Sequence, residues 1–90
     1  MERERIKPGR QSEEGIGMGN HLVLHNDDVN SFEYVIECLV DVCYHEPEQA
    51  EQCALIAHYK GKCPVKSGDI HHLKPYQKEM TVRGLTVTID

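Results

Sequence analysis

Asn26, Asp27 and Asp28 stand side by side in the stretch Leu24-His-Asn-Asp-Asp-Val-Asn-Ser-Phe32, where an apolar run ends and an amphipathic one begins. Farther along, His58 precedes Tyr-Lys-Gly-Lys. An amide oxygen, a carboxylate and an imidazole nitrogen are three acceptors. With no basic residue among them, they suit a ligand that brings three donors and one positive charge. An α-ammonium group has that inventory. A peptide N-terminus carries three N–H bonds and, with a pKa of about 7.7–8.0, is mostly protonated at neutral pH; its capture is a known mode of peptide recognition. If the period of two of an incoming strand continues through the turn, Leu24, Asn26 and Asp28 share one face and Asp27 points away. That parity favours Asp28 over Asp27 for direct contact.

Each half of this constellation also has an ordinary structural explanation. Asn and Asp are turn formers, and carboxylates beside a helix N-terminus gain about 0.3–1 kcal/mol from its dipole. A single histidine at a helix end is more often packed than liganding. The combination favours a site, with His58 on the stripe that faces the preceding helix. His21, His25, Asp27, Asp28, His71 and His72 are possible metal ligands. His21 and His25 lie four apart, which suits a helix face and not a strand end, and no set has zinc spacing. No metal and no cofactor are expected. The Asp pair lacks a nucleophile motif or phosphate loop to complete a reaction, so no catalytic residue and no enzyme activity are expected.

The elements that must position these residues can be read along the chain. Met1 to Asn20 carries four acidic and four basic residues, with only Ile6 and Ile16 as branched aliphatics. It buries too little apolar area to offset its ordering entropy and is expected to be a flexible tail, residues 1–20. The folded core is expected over residues 21–90. "HLVLH" suits a strand from His21 to His25. Asn30 opens an N-x-x-E capping pattern with Glu33. Phe32, Val35, Ile36, Leu39, Val40 and Cys43 then recur at helical intervals. A second helix opens at Pro47 and closes at Gly61; its inward stripe is Ala50, Cys53, Ala54, Ala57 and His58, and it should lie antiparallel to the first across Tyr44, His45 and Glu46. "KCPVK" is expected to be an edge strand, because Pro64 cannot donate to a ladder. A third helix runs from near Asp69 to Arg83, with Ile70, Leu73, Tyr76 or Gln77, and Met80 inward; Pro75 demands an irregular first turn or a kink. After Gly84, "LTVTI" alternates Leu85, Val87 and Ile89 inward with Thr86 and Thr88 outward. The order β-α-α-β-α-β fits an α+β two-layer sandwich, a three-stranded antiparallel sheet covered by three helices.

Composition narrows the partners. Ninety residues make one small domain, which buries only about 60% of the surface its unfolded chain exposes. The net charge of −5 is uneven: His21 to Tyr59 holds eight Asp or Glu and no Lys or Arg, while Lys60 to Asp90 holds six basic residues against three acidic ones. Such a field disfavours nucleic acid near the site and favours cations. Cys38, Cys43, Cys53 and Cys63 show no C-x-x-C spacing, and the N-terminus has no secretory signal pattern, so reduced thiols in a cytoplasmic protein are expected. Cys38, Cys43 and Cys53 fall on apolar stripes. No apolar stretch approaches the roughly 20 residues that cross a bilayer, and no membrane partner is expected.

"VLHNDDVNSFEYVIECL", followed by "ALIAHYKGK", closely resembles the ClpS family, the adaptors that carry N-degron substrates to Clp AAA+ proteases. The resemblance covers His21 to Lys66 and extends to the C-terminal strand. It implies that Asn26, Asp28 and His58 bind the α-amine of a substrate, with Asp27 the other acid of that turn. It further implies an apolar pocket for the first side chain, lined by Leu24, Phe32, Val35, Ala54, Ala57 and Leu85. The partners implied are N-degron proteins and an unfoldase of the ClpA or ClpC type, engaged by a monomer whose N-terminal tail contacts the unfoldase. Phe32 stands where many members have Met, and Ala54 where a larger residue is usual. His71 and Tyr76 occupy the region where many members carry Glu and Lys contacts to the unfoldase, and the chain is several residues shorter before Leu85. The element order is also similar to the C-terminal domain of ribosomal stalk protein L7/L12, which makes a non-catalytic interaction domain the alternative.

Overall fold

The structure is a computed structural model and describes residues 19–90. The tail expected over 1–20 lies, apart from Gly19 and Asn20, outside the described residues. The elements follow in the order β1 (Asn20–His25), α1 (Phe32–Cys43), α2 (Pro47–Lys60), β2 (Lys62–Gly68), α3 (Ile70–Val82) and β3 (Val87–Ile89). This is the α+β sandwich expected, an antiparallel three-stranded sheet in the order β2-β1-β3 covered by the helices.

β1 occupies the centre because it is the most apolar strand: Leu22, Val23 and Leu24 are all buried. β2 is an edge, and Pro64 lies opposite Val23 where the register shifts by a bulge between Leu22 and Val23. A bulge is one of the few places a sheet tolerates a residue with no N–H. β3 is shorter than the alternation of "LTVTI" suggests. The pairing nevertheless continues past its ends through His25 N–H to the Thr86 carbonyl (2.9 Å) and a reciprocal pair between His21 and Asp90.

Three helix features depart from expectation. The cap of α1 is Ser31, whose hydroxyl accepts the Tyr34 N–H at 3.1 Å; Asn30 is engaged elsewhere, as described below. The buried face of α1 is Cys38, Leu39, Val42 and Cys43, while Val35, Ile36 and Val40 are partly buried against the core. The stripe is rotated because α1 packs against α2 and α3 as well as the sheet. Ile70, expected inward, is 42% exposed, and Leu73 and Met80 alone of α3 are fully buried. Pro75 lies inside α3.

α2 runs between the stops expected of it, from Pro47 to the left-handed cap Gly61 (φ 95°). Ala50, Cys53, Ala54 and Ala57 form its buried face, and these small side chains allow close approach to α1. Tyr44 closes α1 in the left-handed region (φ 59°), and His45 behind it is buried, its Nε2 donating to the Val65 carbonyl at 2.7 Å. The four cysteines are free and buried; burial pushes the Cys43 thiol up to about 11 and the Cys53 thiol up to about 12. Gly84 (φ 91°) ends α3 with its N–H on the Thr81 carbonyl, and Leu85 N–H bonds the Met80 carbonyl at 3.0 Å.

Asp69 caps α3 by accepting the His72 N–H at 2.8 Å. Asp69→Ala is expected to cost about 1 kcal/mol of stability, measured as a lower urea midpoint with an unchanged m-value.

Candidate functional site

The strand and two helix ends converge where the candidate residues lie. β1 ends at His25, and the next backbone N–H, that of Asn26, donates to the Gly61 carbonyl at 2.9 Å. This single bond ties the start of the acidic turn to the cap of α2, three residues beyond His58. The chain then bends, because Asp27 folds its carboxylate back onto the turn. Oδ1 accepts the N–H groups of Val29 (2.9 Å) and Asn30 (2.8 Å), and Oδ2 accepts the Asn30 side-chain amide (3.1 Å). The same amide nitrogen donates to the Gly84 carbonyl at 2.9 Å.

Beside this turn lies a cavity of about 500 Å³. Leu24, Phe32, Val35, Ala54, Leu55 and Ala57 form its apolar lining. Leu24 is 2% exposed and the two alanines 4% each, and Phe32 and Val35 are half-buried. Asn26, Asp27, Asp28 and His58 line it too, and of these Asn26, Asp28 and His58 are exposed while Asp27 is half-buried. The apolar surface therefore forms the inner part of the cavity and the acceptors its solvent end. No Lys or Arg is among the lining residues.

His58 does not point into the helix interface, as its place on the α2 stripe suggests, but is exposed, with its ring edge-on to Tyr59 at 5.0 Å. It sits in the last turn of α2, where Tyr59 and Lys60 are exposed as well. Leu85 is not brought to the cavity. It is 3% exposed within the core cluster, because the tight turn after α3 directs it inward beside Met80. His25, Asn30, Leu55 and Tyr59 also line the cavity, where the sequence does not place them. Leu55 was within reach of the sequence, since it precedes His58 by one helical turn; Asn30 was hidden by its capping pattern. His25, whose Nε2 meets Thr88 Oγ1 at 2.8 Å, stands out in the sequence only as a possible metal ligand.

Among the described residues, no group of three or more His, Cys, Asp or Glu is placed to hold a metal ion, and no helix is long and apolar enough to cross a membrane. Burial pushes the Asp27 carboxyl up, but the hydrogen bonds from Asn30 and Val29 outweigh it and hold the group below its ordinary value of 3.8. A lowered folded value means that the ionised form is favoured by folding. The stabilisation is complete above the ordinary value and is lost as pH falls through the folded one. The urea midpoint should therefore drop as pH falls below the ordinary value of 3.8, and Asp27→Asn should shrink that drop.

Comparison with known proteins gives a family match. The family model described as ATP-dependent Clp protease adaptor protein ClpS matches residues 20–88. The ATP-dependent Clp protease adapter protein ClpS of Edwardsiella ictaluri is 38% identical over 55 residues, covering 59% of this chain and 52% of that protein. The ClpS of Pectobacterium carotovorum is 37% identical over 59 residues, covering 63% and 56%, and that of Nitratidesulfovibrio vulgaris 33% over 55 residues, covering 59% and 55%. The match thus spans about half the length of these curated relatives. Among solved structures, Agrobacterium tumefaciens ClpS2 bound to L-phenylalaninamide shares the fold with a TM-score of 0.79 at 22% identity, covering 83% of this chain and 98% of that one. The family match does not favour the alternative of a ribosomal stalk-like domain.

Proposed function

This chain belongs to the ClpS family, and on that premise we propose that it is an adaptor which binds proteins through a free N-terminal amine and a bulky hydrophobic first residue, then delivers them to a Clp unfoldase. The observation that carries this reading is the division of one cavity into an apolar interior and a solvent end of acceptors without a basic residue. An amino-terminal residue has the complementary division, an apolar side chain and a three-donor cation on one carbon. In this proposal Asn26, Asp28 and His58 accept from the ammonium, Asp27 holds the turn, and Leu24, Phe32, Val35, Ala54 and Ala57 enclose the side chain.

L-phenylalaninamide, the ligand of the Agrobacterium tumefaciens ClpS2 structure, combines a free α-amine with a benzyl group and supports the same assignment. Burial of one large side chain contributes about 1.5–3 kcal/mol. Charge-assisted hydrogen bonds add about 1.5–3 kcal/mol each. After the costs of association the sum is compatible with roughly micromolar binding.

The receiving machine in this reading is an unfoldase of the ClpA or ClpC type, the adaptor is a monomer, and the setting is cytoplasmic, where its buried cysteines stay reduced. The segment 1–20 serves to engage the unfoldase and residues 21–90 to bind the substrate. On α3 the exposed His71, and Tyr76 with Lys66 Nζ 4.6 Å above its ring, stand in the region of the family's usual docking contacts. The test is delivery. A fluorescent reporter beginning with Phe should be degraded faster by a Clp unfoldase and protease when this protein is added, and a Lys-first reporter should not. No acceleration with either a ClpA- or a ClpC-type unfoldase contradicts the delivery role.

A further inference from the structure

We infer that Asn30 is the positioning residue of the amine site, an assignment that rests on the function proposed above. The turn that carries Asn26 and Asp28 has two anchors outside itself. One is the bond from Asn26 N–H to the Gly61 carbonyl, which sets the turn against the end of α2 and His58. The other is the Asn30 side chain, a lining residue of the cavity. Its Nδ2 donates to Asp27 Oδ2 at 3.1 Å and to the Gly84 carbonyl at 2.9 Å. Both partners are acceptors, which fixes the orientation of the amide.

The residue type follows from this geometry. Two acceptors on different elements must be met by two hydrogens on one atom, and a primary amide supplies them. A hydroxyl has one donor, and a carboxylate would face the Asp27 carboxylate and the Gly84 carbonyl with a third acceptor. Asp27 lies between Asn26 and Asp28 in sequence. Holding its carboxylate therefore fixes the backbone from which both ammonium acceptors project. The α3–β3 turn, which does not line the cavity, becomes part of the amine site through this amide. Tyr34 provides an internal comparison, because its hydroxyl donates to the Arg83 carbonyl at 2.7 Å and ties α1 to that same turn without touching Asp27.

The test uses the full chain and two fluorescent peptides, one beginning with a free Phe and one acetylated on it. Affinities are measured by anisotropy for wild type, Asn30→Ala, Asn30→Asp and Tyr34→Phe, with amide spectra recorded to establish that each is folded. Wild type should discriminate strongly between the peptides. Asn30→Ala should lose on the order of tenfold in affinity for the free peptide, and Tyr34→Phe should stay within about twofold of wild type. Asn30→Asp should lose more than Asn30→Ala near pH 7 and recover part of the loss toward about pH 5, since a protonated carboxyl regains one donor for Asp27. The ionisable residues His25, Asp27, Asp28 and His58 line the cavity in wild type and variants alike, so the quantity read is the ratio of variant to wild-type affinity at each pH. This ratio also decides the question if Asn30→Ala fails to fold.

Wild type indifferent to acetylation overturns the proposed amine capture itself. Wild type that discriminates, with both Asn30 variants within about twofold of it, overturns the positioning role alone. A loss of affinity in Asn30→Asp whose ratio does not change with pH also overturns it, because a merely structural defect has no reason to follow that carboxyl.

Discussion

Acetylating the α-amine of a Phe-first peptide is expected to remove at least about a hundredfold of its affinity for this protein. In the proposed site the ammonium offers three donors and a full charge to Asn26, Asp28 and His58. Its acetylated form offers one N–H, no charge, and a new carbonyl facing groups that are themselves acceptors. Loss of two charge-assisted bonds at about 1.5–3 kcal/mol each exceeds the roughly 2.7 kcal/mol that a hundredfold requires. Nothing in the apolar interior compensates, because the side chain it encloses is unchanged. Isothermal titration calorimetry with the paired peptides measures the effect. Affinities within about threefold of one another would mean that the acceptors at the cavity mouth do not meet the amine.

The second large effect concerns size. Ala54 is almost fully buried on α2 yet lies outside the main core cluster, and its methyl group faces the cavity. Ala54→Met leaves helix propensity nearly intact and places a flexible side chain in the space open to the ligand. A Trp-first peptide, which needs the most room, should lose on the order of tenfold, corresponding to an overpacking cost of about 1–3 kcal/mol. A Leu-first peptide should lose less than about threefold, because the Met side chain can rotate away from a shorter occupant. Equal losses for Trp and Leu would place Ala54 beside the ligand path without a role in selecting its size.

Local stops and periodicities made most of the architecture legible. α2 lies between Pro47 and Gly61 because the first lacks a donor that a helix start does not use and the second accepts a left-handed cap. The alternation after Gly84 and the apolar run before Asn26 placed β3 and β1 within two residues of their ends. At the acidic turn three hydrogen bonds to Asp27 bend the chain beyond His25. Those bonds also occupy Asn30, so Ser31, not Asn30, caps α1. The contact with Gly84 joins residues 54 positions apart, and no local pattern announces it. Leu85 was assigned to the cavity through family resemblance, whereas the turn after α3 commits it to the core.

An amide chemical-shift titration with a Phe-first peptide locates the bound amine residue by residue. Shifts centred on Asn26, Asp28, Phe32 and His58 are expected with the free amine, and none with the acetylated peptide or one beginning with Lys. Shifts centred elsewhere, or the same shifts with the acetylated peptide, contradict that placement.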